Sequence, residues 1–227
     1  TLCVTKKKNN TMMSTSDNEY IETREIKRGK KEVTEPFARL INWIYDFYGT
    51  RPLNICYEFL NHNQRPRLEI VFETKDLTGK FWDDKDKDSR IEQVFKELTI
   101  NTPKYKSDNL FVISSSFESI AKMEANFKIK KERIEELKIT LNLPELWHIE
   151  RTFGFSAIFF FYTKEQQDRL SKSEELKVKF RDEYFNLIKN YDEFGYLNKE
   201  EFGIRFDNKE TFINIYRGSW QFYFKDN

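Results

Sequence analysis

The 227-residue chain is poor in the residue types that build the commonest sites. It holds only 7 glycines, and no stretch gathers them as a phosphate cradle or a dinucleotide-binding turn requires. Histidine occurs twice, as His62 in a turn-rich stretch and as His148 beside Glu150, and a lone imidazole is read first as a structural or solvated side chain. The two cysteines, Cys3 and Cys56, make no disulfide framework; Cys3 falls in a polar tail and Cys56 in an apolar, strand-like run that reads as a buried free thiol. A Gly-x-Ser-x-Gly elbow is missing, as is any cysteine in an activating context. No apolar run approaches the length of a membrane span, and neither a signal-peptide core nor a lipidation motif is present, so the cytoplasm is the expected location. An excess of one charge is missing too. Lys plus Arg number 39 and Asp plus Glu 38, and a net charge of +1 gives no long-range steering toward nucleic acid or a membrane surface.

Aromatic mass is what the chain does have. Its 22 Phe, 11 Tyr and 4 Trp supply far more apolar area than a disordered chain carries, and predict thick side-chain packing. The most hydrophobic window runs from Phe155 to Tyr162, short enough for a buried strand. It is preceded by Trp147 to Arg151 and followed by a helical segment with Phe180, Tyr184, Leu187 and Ile188 on one face. A core strand with its covering helix is therefore expected at the centre of the fold.

In chain order, residues 1–34 read as a mobile polar arm with a short strand around Tyr20 to Ile26. Thr1 is no initiator and Met12-Met13-Ser14 resembles a natural start. Residues before Met12 then read as lying upstream of that start, or the chain as cut from a longer one. The run Lys6-Lys7-Lys8 reads as solvated. Phe37, Leu40, Ile41, Ile44, Tyr45 and Tyr48 predict an amphipathic helix begun by Thr34-Glu35-Pro36 and ended by Gly49. Leu53 to Leu60 and Leu68 to Phe72 predict a β-hairpin with one wet face, turning through Asn61 to Pro66. A short helix with Ile91, Val94, Phe95 and Leu98, a strand at Leu110 to Ile113 and one long helix from Phe117 to Leu141 follow. The alternations Phe202-Ile204-Phe206, Phe212 to Tyr216 and Trp220-Phe222-Phe224 predict a C-terminal β-meander.

Ile70 to Asp76 echoes Phe159 to Glu165 at an offset of 89 residues (159 minus 70), and the same offset carries Ile91, Phe95 and Leu98 onto Phe180, Tyr184 and Leu187. The chain thus reads as α+β, with two similar helix–hairpin–helix–strand units arisen by internal duplication. Its sheet is expected to be mostly antiparallel and packed by amphipathic helices. The expected division is an arm over 1–34, a first unit over 35–116, and a long helix plus second unit over 117–227.

Two groups of residues carry functional expectations. Asp84-Lys85-Asp86-Lys87-Asp88 opens like a calcium loop, yet Ser89 stands where glycine is needed and Phe95 where a bidentate Glu should be, so no metal centre is expected there. Glu73-Thr74-Lys75 ends a strand, with Glu69 upstream and Glu58 on the neighbouring strand. Across roughly residues 36–115 this order resembles the PD-(D/E)xK nuclease core. That resemblance implies Glu58 or Glu69 with Glu73 on a divalent metal and Lys75 activating water. The chain lacks the family's Pro-Asp element, and at the matching point of the second half Tyr162-Thr163-Lys164 lacks the carboxylate. The leading expectation is instead a non-enzymatic protein without cofactor, a bacterial inhibitor or immunity-type protein that occludes another protein, with a structural subunit of a larger assembly close behind. Its expected contact residues are Trp220, Phe222, Tyr223 and Phe224, since exposed aromatics anchor interfaces.

Overall fold

The computed structural model describes residues 14–60 and 65–226, apart from the side chains of Lys80 and Trp82. The predicted turn around His62, the Lys6-Lys7-Lys8 run, Cys3 and Met12 fall outside these residues. The chain divides into two compact units, Thr1–Ile120 and Ala121–Asn227.

In the first unit α1 (Asn18–Lys27) and α2 (Phe37–Tyr48) precede a hairpin of β1 (Asn54–Leu60) and β2 (Arg65–Phe72). Helices α3 (Lys75–Trp82) and α4 (Lys87–Thr99) then cross to β3 (Phe111–Ser116). β1 runs antiparallel to β2 with Asn54 opposite Val71, whereas β3 joins parallel to β2 with Phe72 beside Ser116, giving the order β1-β2-β3. The apolar stripe of α2 buries Leu40, Ile41 and Ile44 against Leu68, Ile70 and Phe72, joined by Ile91 and Phe95 of α4. Gly49 stops α2 in the left-handed region at φ +67°, its N–H returning to the Tyr45 carbonyl. Two expectations fail here: β2 is buried on both faces, and Asn18–Lys27 of the expected mobile arm form helix α1, not a short strand. Tyr20 and Thr23, one turn apart on α1, are buried; Tyr20 stacks on Phe117 and Thr23 accepts the Asn54 amide.

Helix α5 (Phe117–Lys128) runs through the division between the units, and α6 (Lys131–Leu141) follows it. The single long helix expected over 117–141 is thus broken at Ile129 and Lys130. Lys130 is extended, and the Arg151 guanidinium donates to the Phe127 and Ile129 carbonyls at 3.0 and 2.7 Å. That charged donor satisfies the carbonyls a helix end leaves without partners, which offsets the cost of the break.

The second unit repeats the order of the first. β4 (Leu146–Arg151) and β5 (Ala157–Phe161) form an antiparallel hairpin, α7 (Lys164–Leu170) and α8 (Glu174–Lys189) cross over, and β6 (Ile204–Asn208) joins parallel to β5. The correspondence reaches the caps. Thr74 and Thr163, 89 residues apart (163 minus 74), are the extended N-cap residues of α3 and α7. Phe159 and Phe161 of β5 face Phe180, Tyr184 and Ile188 of α8. On its other face Ile158 and Phe160 meet Phe212 and Tyr223. The expected β-meander is corrected at this point: only β6 is a strand, and the chain goes on as α9 (Lys209–Asn214) and α10 (Trp220–Asp226). Asn208 caps α9 by accepting the Thr211 N–H, and Trp220, Tyr223 and Phe224 share an i, i+3, i+4 face. The alternation of aromatics is real, but the partner is the back of β5, which two short helices cover. Each unit is therefore a three-stranded mixed sheet with helices on both faces.

Candidate functional site

The four residues of the nuclease-like pattern do not gather into one cleft. Glu58 and Arg67 are cross-strand partners, and Glu69 follows Arg67 on the same face of β2. The Arg67 guanidinium pairs with Glu58 and, at 3.3 Å, with Glu69. Arg67 and Glu69 are 7% and 4% exposed, so two carboxylates that would have to hold a divalent cation hold a buried guanidinium instead. Glu73 lies beyond the end of β2 and accepts a hydrogen bond from Lys27 of α1. Lys75 is exposed as the first residue of α3.

The acidic loop is likewise tied to its own chain. Asp84 accepts the Tyr48 hydroxyl at 2.8 Å, the Asp86 N–H at 2.9 Å and the Arg90 guanidinium. Those donors, the Asp86 N–H first, hold its carboxyl below the usual range, while burial and then Asp84 push the Tyr48 phenol up to about 12. Among the described residues, no three or more His, Cys, Asp and Glu side chains cluster as a metal ion would need. Between α1 and β1 a cavity of about 320 Å³ is lined by Glu19, Glu22, Asn54 and Cys56. Burial, followed by the Glu22, Glu69 and Glu19 carboxylates, pushes the Cys56 thiol far above its ordinary value, which makes it a poor nucleophile.

The four aromatic residues expected as an interface take three different places. Tyr223 is core at 1% exposure, and its hydroxyl donates to Asp207. Phe222 is 52% exposed and stands apart from the others. Trp220 and Phe224, stacked 6.0 Å apart, line a groove of about 590 Å³ with Glu150, Phe153, Gln221 and Lys225.

Phe153 was not foreseen from the sequence. It sits in the β4–β5 turn, 67% exposed, with its ring 5.1 Å from Phe224. The turn that carries it is pinned from below by Asn126, a fully buried side chain of α5. The Asn126 amide donates to the carbonyls of Gly154 and Ser156 at 3.1 Å and of Thr152 at 3.4 Å, while its oxygen accepts the Tyr184 hydroxyl at 2.7 Å. Burial raises the Tyr184 phenol well above its ordinary range, so the hydroxyl stays a donor. Glu150 is fixed as firmly: one carboxylate oxygen accepts the Arg151 N–H and the other meets His148 Nε2, each at 3.0 Å. His148 thus has a structural partner, and its ring lies 5.3 Å from Trp220. The readable signal for Phe153 was an aromatic next to Gly154 in a hairpin turn. Asn126 gives no local signal, because its partners are 26 to 58 residues away.

Comparison with known proteins yields no match to any family model, curated protein or solved structure. No helix among the described residues is long and apolar enough to cross a membrane.

Proposed function

We propose that the protein is a non-enzymatic binding module, an inhibitor or immunity-type protein that acts by occluding a protein partner. The observation that carries this reading is Phe153, an exposed aromatic on a turn immobilised by a buried asparagine, beside the half-exposed Trp220 and Phe224. In the free chain the ring gains only its contacts with Phe127 and Phe224, yet as an anchor in a partner's pocket, on a turn already held in place, it contributes binding energy with little ordering cost. The nuclease reading is not adopted, since Arg67 already occupies the two carboxylates it would need.

The test is affinity capture from the native host with the whole chain as bait, repeated with Phe153→Ser, Phe224→Ala and Phe222→Ala. A stoichiometric partner retained by the wild type and by Phe222→Ala but lost with the other two is the expected result. A partner retained equally by all four overturns the assignment of the groove. Mg²⁺- or Mn²⁺-dependent cleavage of DNA or RNA that disappears in Glu73→Ala overturns the non-enzymatic reading itself.

A further inference from the structure

We infer that the groove between the β4–β5 turn and α10 receives an arginine side chain of the protein partner, stacked on its rings and paired with Glu150. This rests on the reading of the groove as the partner's site, and adds the chemistry of what enters it.

Three observations converge on a guanidinium. The first is the wall. Phe153, Trp220 and Phe224 give the groove three π-systems, whose faces attract a cation near the ring centroid. The second is the counter-charge. Glu150 is the one acid among the six lining residues, and its side chain is only 24% exposed, so a charge pair made there is less screened than one at the open surface. Each carboxylate oxygen carries two acceptor positions; the Arg151 N–H and His148 Nε2 engage one apiece, and the fork of a guanidinium donates to the remainder. The third is how other aromatic rings of this unit are used. Lys122 lies over Phe155, Arg151 over Phe127, and Lys209 over Trp147 and Tyr162. Among the described residues no cationic side chain of the chain itself covers Phe153, Trp220 or Phe224 in that way. Those three rings share the groove with an acid, whereas the cation-covered rings Phe155, Phe127, Trp147 and Tyr162 do not line it.

Arginine suits the place better than lysine. Its planar head stacks on a ring while donating in its own plane to a carboxylate, and it is less strongly hydrated than an ammonium. Lys225 also lines the groove, but it is exposed in the last turn of α10 next to the exposed Asp226. A lysine stem adds apolar surface to such a wall while its ammonium stays hydrated.

The experiment titrates the full chain with N-acetyl-arginine amide, its neutral isostere N-acetyl-citrulline amide, and N-acetyl-norleucine amide. The Trp220 indole N–H is followed by NMR, assigned through Trp220→Phe. The expected result is saturable binding of the arginine probe with a preference on the order of tenfold over citrulline, reduced to near parity by Glu150→Gln and unaffected by Phe222→Ala. Equal binding of arginine and citrulline, or tighter binding of norleucine, overturns the inference and makes the groove a plain apolar pocket. The capture experiment separates this from the broader reading. A partner that needs Phe153 but binds Glu150→Gln undiminished leaves the binding module standing and removes the arginine. Arginine selectivity with no partner captured upholds the chemistry of the groove while the occlusion reading falls.

Discussion

Arg67 shows how a single side chain decides what its neighbours do. Glu58, Glu69 and Glu73 were legible as carboxylates near one strand end, and the hairpin that brings Glu58 beside β2 was legible too. The register was not. It places Arg67 opposite Glu58 and so converts two potential metal ligands into the flanks of a buried cation. Arg67→Met is expected to lower the unfolding free energy by about 3 kcal/mol in urea titration, because it strands a buried carboxylate. The triple replacement Arg67→Met, Glu58→Leu, Glu69→Leu should recover most of that loss. If the single variant is neutral, the triad is not the buried unit described. Cys56 behaves predictably for the same reason of burial. Its folded thiol is raised by burial and then by Glu22, Glu69 and Glu19, so maleimide at pH 8 should label the Cys56 peptide only after unfolding, as read by mass spectrometry. The sign for stability follows. A raised thiol contributes fully below the unfolded value of about 8.5, and its contribution is lost as pH rises through the folded value.

At the scale of elements, strongly periodic segments were readable and capped or tertiary-determined ones were not. α2 came through with its glycine stop because its stripe, start and end all agree. β5 was readable as a run of five apolar residues, and α8 by four of its five buried positions. Helix α1 was missed since only Tyr20 and Thr23 are buried on it, too sparse a stripe to set a period. α10 was misread because Trp220, Phe222 and Phe224 alternate as a strand would, while Tyr223 completes a helical face. The break between α5 and α6 depends on Arg151, 22 residues from the carbonyl it satisfies. The β4–β5 turn gives the prediction at this scale. Asn126→Ala removes partners from three carbonyls and from the Tyr184 hydroxyl, and should cost about 2–3 kcal/mol while raising amide exchange across residues 152–156. Asn126→Asp should cost more, since it sets a carboxylate against those carbonyls. An alanine variant as stable as the wild type would show that the turn holds itself.

For the whole molecule, the repetition at an offset of 89 residues was the most informative feature of the sequence, and the two units do share element order, sheet order and a threonine at the N-cap position after the hairpin. What it could not give was the direction of the third strand, which joins parallel in both sheets. Two cores of their own predict two unfolding events. Calorimetry should give a calorimetric enthalpy above the van't Hoff value, with Arg67→Met shifting one transition and Asn126→Ala the other; a single transition moved by both would refute this. The parallel third strand also sets an order of events as the chain is made. β2 ends at Phe72 and finds its second neighbour only when Ser116 has emerged, 44 residues later (116 minus 72), a delay of about 2–9 s at ordinary rates of synthesis. β5 waits in the same way for β6, and its Ala-Ile-Phe-Phe-Phe segment has neither a charge nor a proline to discourage pairing with another copy. The hazard of the fold lies there: between the closing of the β4–β5 hairpin and the arrival of β6, nascent chains expose the most apolar edge they possess.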